Sequence, residues 1–69
     1  MTFDVKVIYQ IHDGNVMHKE LNGVDKVERT FEKINNENVE IVRVYTSYYN
    51  WCSWSAKSIL LINMTPNLN

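Results

Sequence analysis

Three side chains of this 69-residue chain have nucleophilic or soft metal-binding character: His12, His18 and Cys52. A thiolate–imidazole nucleophile would need Cys52 against one of the histidines, with a third group orienting the base. The sequence singles out no third group. A zinc site would show close ligand spacing such as CxxC, HxxxH or HExxH, and none occurs. The two glycines, Gly14 and Gly23, stand alone and form no phosphate-binding loop. The sequence therefore predicts a non-catalytic protein, with no catalytic residue, metal or cofactor.

The residues best suited to recognition are aromatic. Five of the eight aromatic side chains fall in the run YTSYYNWCSW, residues 45–54, and no charge lies between Arg43 and Lys57. Tyrosine and tryptophan offer large rigid contact area and dominate binding hot spots. Tyr48, Tyr49, Trp51 and Trp54 are the candidate partner-binding residues. A bend at Asn50–Ser53 would leave Trp51 the most exposed of the run and Tyr45 the most buried. A second candidate is a basic stripe, Lys26, Arg29 and Lys33. On a helix it would run beside a flank of Asp25, Glu28 and Glu32.

The elements that position these residues come from periodicity. Residues 3–11 alternate, with Phe3, Val5, Val7, Tyr9 and Ile11 on one side, as in a half-buried strand. A three-residue loop, His12-Asp13-Gly14, would pair Tyr9 with Met17, Ile8 with His18, Lys6 with Glu20 and Val5 with Leu21. Val24, Val27, Phe31 and Ile34 recur at helical spacing. With Asn22 as N-cap and Asn35–Asn38 as terminator, a helix is predicted at 23–35. Residues 39–45 and 56–64 are β-rich and apolar on both parities. The predicted class is α+β: a four-stranded, mainly antiparallel sheet (β-β-α-β-β) with one amphipathic helix on one face. Residues 1–64 would form the single domain, and 65–69, after the strand-ending Pro66, a loose tail.

Composition bounds the function. The net charge is −1, and 14 of the 15 charged side chains lie in residues 1–43. Such a chain is neither a strongly basic nucleic-acid binder nor an acidic mimic. A single cysteine excludes an internal disulfide and, without a basic, apolar leader, points to the cytoplasm. No apolar run spans a bilayer. The reading is a small protein-binding module, of inhibitor or adaptor type, acting through an aromatic C-terminal hairpin and self-associating as a homodimer. The nine asparagines suit a phage or mobile-element protein. Two alternatives stand beside it. One is a single-strand nucleic-acid binder using the aromatic run with Lys26, Arg29, Lys33, Arg43 and Lys57. The other is a structural subunit of a larger assembly.

Overall fold

Antiparallel pairing organises the whole chain. The computed structural model describes residues 1–47 and 49–67. It contains six strands: β1 (Thr2–Gln10), β2 (Val16–Val24), β3 (Lys26–Ile34), β4 (Glu37–Ser47), β5 (Asn50–Ser55) and β6 (Ile59–Asn67). They form two three-stranded sheets, ordered β2-β1-β6 and β3-β4-β5. One residue, Asp25, separates β2 from β3, and a 3-10 turn, Ala56–Ser58, separates β5 from β6. Two long segments thus pass from one sheet into the other, the way corners form when two sheets pack on each other.

The fold is all-β, which corrects the α+β prediction. The described residues hold no α-helix, and the predicted helix at 23–35 falls on the end of β2 and on β3. Residues 26–34 pair along their whole length with β4, from Lys26 opposite Tyr45 to Ile34 opposite Glu37. The reason lies at Asn35 and Asn36, whose φ angles are +50° and +65°. Two consecutive residues at positive φ make a tight two-residue hairpin turn, and asparagine tolerates that conformation. The same asparagines suit a helix terminator equally well, because both roles use the left-handed conformation. The second sheet, and not a helix, covers the first.

The first hairpin has the expected register. Tyr9 faces Met17, Ile8 faces His18, Lys6 faces Glu20 and Val5 faces Leu21. Its loop is closed by the Ile11 N–H donating to Asn15 O (3.0 Å) and the Gly14 N–H to Ile11 O (2.9 Å). Further along, Asn22 and Gly23 together oppose Asp4, because Phe3 pairs with Val24 while Val5 pairs with Leu21. This is a bulge with glycine at φ +67°, and a bulge bends its strand and sharpens the local twist. Just past it, the Asp25 N–H donates to Tyr45 O at 2.8 Å in the other sheet. A Cβ at position 23 would meet nothing within 4 Å. Gly23→Ala therefore carries only backbone strain and should lower the unfolding free energy by about 1 kcal/mol, which moves the urea midpoint down without changing the slope.

The core sits between the sheets. Val5, Val7, Leu21, Val24 and Val44 are buried together, with Phe3, Tyr9, Val27, Cys52, Trp54, Ile59 and Ile62 packed around them. Of the predicted tail, 65–69, Leu68 and Asn69 lie outside the described residues. Thr65, Pro66 and Asn67 belong to β6 and pair with Asp4, Phe3 and Thr2. Proline is tolerated there because β6 is the edge of its sheet.

Candidate functional site

The outer face of the β3-β4-β5 sheet gathers the interaction-prone side chains. Alternation puts Val42 and Val44 on the inner side, leaving Arg43 and Tyr45 on the outer side. Cross-strand rows then align Lys26, Tyr45 and Trp51, and beside them Glu28, Arg43 and Ser53. The Tyr45 and Trp51 rings lie 6.3 Å apart at 47°. The Arg43 guanidinium lies 4.8 Å from the Trp51 ring centroid, within cation–π range. Lys26 Nζ stands 5.4 Å from the Tyr45 ring centroid.

Carboxylates tie this face together. Arg43 Nη2 donates to Glu32 Oε1. The Tyr45 hydroxyl donates to Glu28 Oε2 at 3.0 Å, and Lys26 Nζ pairs with the same oxygen at 3.5 Å. The Tyr45 hydroxyl, and then Lys26, hold the Glu28 carboxyl below its ordinary range. The Tyr45 hydroxyl, followed by Glu32, pushes the Arg43 pKa further up. Arg43 Nε, in contrast, is shut off from solvent and has no hydrogen-bond partner. An open hollow of about 500 Å³ lies at the end of the face, lined by Asp25, Lys26, Tyr45 and Ser47.

The Glu28 contact gives a pH dependence. A carboxyl whose folded pKa is lowered contributes stability that is present above its unfolded pKa and lost as pH falls through the folded one. Acidification from the ordinary glutamate range downward should therefore loosen the bond between Tyr45 and Glu28. Glu28→Gln should flatten that part of the acid-unfolding curve and leave stability at neutral pH less dependent on salt.

The aromatic candidates separate. Trp51 is 47% exposed and Tyr49 87%. Trp54 points the other way; half-buried, it packs on Tyr9 with ring centroids 5.6 Å apart. Tyr48 lies outside the described residues. Ser47 pairs with Asn50, so the chain reverses between them and not at Asn50–Ser53 as predicted. The Thr46 hydroxyl closes this reversal by donating to Asn50 O at 3.3 Å.

The basic stripe does not survive as a unit. It rested on a helix, and a strand places Lys26 on the opposite face from Arg29 and Lys33. Arg29 instead pairs with Glu40 at 3.5 Å. Arg43, now the centre of the face, had entered only among the cations of the nucleic-acid alternative. Its signal was a single charge inside the otherwise apolar run IVRVY. His12 sits in the first hairpin loop and His18 on β2, while Cys52 packs at the core. Among the described residues no group of three or more His, Cys, Asp or Glu is placed to hold a metal. Nor does any helix there have the length and apolar character to cross a membrane.

The fold and face define a small all-β, two-sheet domain with an aromatic and arginine-bearing surface. No protein-family model, curated protein or solved structure matches the chain.

Proposed function

We propose that this protein is a small, non-catalytic, cytoplasmic binding module, of inhibitor or adaptor type, that meets a protein partner on the outer face of the β3-β4-β5 sheet. Trp51, Tyr45 and Arg43 form its centre, and Tyr49 extends it at the β4–β5 reversal. The observation that carries this reading is Trp51 lying across Arg43. A half-exposed indole covers a guanidinium whose Nε has no partner. A shielded, unpaired donor costs about 1–3 kcal/mol, and nothing in the packing of the core requires the indole there. Tryptophan, tyrosine and arginine are also the residues that carry most binding energy in protein interfaces.

The charges of the face favour a protein over a nucleic acid. Lys26 and Arg43 are its cations, and Glu28 and Glu32 already engage them. A phosphate backbone would have to displace or approach those carboxylates. The test is capture from a cell extract by the wild type and by Trp51→Ala, with a single-stranded oligonucleotide titrated at low salt in parallel. The reading expects a protein retained by the wild type, lost with the variant, and no oligonucleotide binding. Equal capture by both proteins would remove the face from the account. Tight oligonucleotide binding that collapses with salt would replace the partner class.

A further inference from the structure

A second surface, on the other sheet, has a different character. Each sheet has two edge strands, and an open edge offers unpaired backbone groups to any passing strand. The edges here are unequal. β3 carries Lys26, Glu28, Arg29, Glu32 and Lys33, and β2 carries Lys19 and Glu20 beside His18. Charges of this kind blunt an edge. β5 and β6 have none; β5 is protected by being only six residues long, whereas β6 is nine residues long and exposes Leu60, Leu61 and Met64. Its start also borders a groove of about 390 Å³, with Arg29, Glu40 and Val42 on the facing wall.

The usable part of this edge is short and symmetric. Ile8 pairs with Leu61 but Tyr9 pairs with Ile59, so Leu60 is the extra residue of a bulge. Pro66 has no N–H. Between these two irregularities runs a regular stretch, Leu61–Thr65, whose middle residue is Asn63. Since Pro66 has nothing to donate to β1, its nitrogen belongs on the free side of the strand. Strand alternation then turns the N–H and C=O of Ile62 and Met64 to that side as well, and those of Leu61, Asn63 and Thr65 toward β1.

We propose that two copies of this chain join through β6, antiparallel about a two-fold axis at Asn63. The two sheets become one six-stranded sheet, ordered β2-β1-β6-β6-β1-β2. In that register Ile62 of each copy faces Met64 of the other, and the pair exchanges both backbone hydrogen bonds on each side of the axis. Leu61 faces Thr65. Leu60 and Pro66, the two residues least able to continue a ladder, face each other where the ladder stops. No charge meets its own image anywhere along the seam. Self-pairing of β3 about Thr30 would instead set Glu28 against Glu32. A second copy is the occupant that fits because the edge complements itself about its own centre, which is the requirement for a two-fold interface.

The experiment is sedimentation with wild type, Asn63→Asp, Asn63→Lys and an equal mixture of the two variants, each checked for folding by circular dichroism. Asn63 is exposed and pairs with Lys6, so the aspartate substitution suits the fold. The wild type should be dimeric below ~1 mM, and each single variant should dissociate at least ~10-fold more readily, because like charges then meet on the axis. The mixture should recover the dimer. Amide exchange at Ile62 and Met64 should slow with rising wild-type concentration, while Leu61, Asn63 and Thr65 stay unchanged. A wild type that remains monomeric at ~1 mM, or an Asn63→Asp protein as dimeric as the wild type, overturns the proposal. A dimer lost in Trp51→Ala and kept in Asn63→Asp would move the second copy to the aromatic face. Failure of that face to bind a partner leaves the β6 result standing.

Discussion

Trp51→Ala should fold as the wild type does and, if the proposed face binds a protein, should hold that partner at least ~30-fold more weakly, the weight of a central hot-spot residue at about 2 kcal/mol. The two halves of this expectation come from one geometry. The indole is half in solvent and packs on the outer face, away from Val44 and Val7 at the core. Removing it forfeits a cation–π contact and some apolar cover. It also opens Arg43 Nε to water, which returns part of the loss. The net change in folding stability should stay within ~1 kcal/mol. Thermal melting checks the fold, and titration calorimetry with the captured partner checks the affinity. A variant that melts far below the wild type would show that the ring belongs to the fold.

Trp54→Ala does the opposite. Trp54 lies opposite Val42 and packs against Tyr9 of the first sheet. It is therefore a tie between the two layers, and its loss opens space beside the valine core. Truncating a large buried aromatic costs about 3–5 kcal/mol, and the partial exposure of Trp54 places it at the low end. Small domains have little stability in reserve, roughly 3–5 kcal/mol from one core. The variant should be largely unfolded at 37 °C, with lost near-ultraviolet dichroism and a collapsed urea midpoint. Two tryptophans three residues apart thus differ in place, one on the outer face and one between the sheets.

That difference was only half legible in the sequence. A bend at Asn50–Ser53 predicts Trp51 as the most exposed of the run. Trp51 is half-exposed, but the reversal lies between Ser47 and Asn50 and Tyr49 is the more exposed residue. Trp54 could not be separated from Trp51 without knowing the strand. Once β5 is a strand, odd and even positions part: Trp51 and Ser53 face out while Cys52 and Trp54 face in. The first hairpin was readable to the residue because alternation and loop length agreed on one register. β3 was misread because Val24, Val27, Phe31 and Ile34 satisfy helical spacing as well as any amphipathic helix. Yet the helix set Glu28 against Glu32 and Arg29 against Lys33, like charges four apart. The sheet resolves both conflicts, giving Glu32 to Arg43 and Arg29 to Glu40. Such local frustration is a sign that the assumed element is wrong. Arg43 was missed as a centre because its role depends on two strands that the helix had replaced.

The first and last strands of this chain are neighbours. β1 is made first of the six, but its second hydrogen-bonding partner, β6, is made last. The other ladders join strands adjacent in sequence, so they can zip as each emerges. The β1–β6 ladder must wait for the intervening segment to be synthesised and then close the longest loop in the molecule, a slow kind of step in folding. Until that closure, one flank of β1 stays open during translation. Folding speed in this protein should therefore respond to changes in the β1–β6 ladder more than to changes of equal severity in the β3–β4 turn.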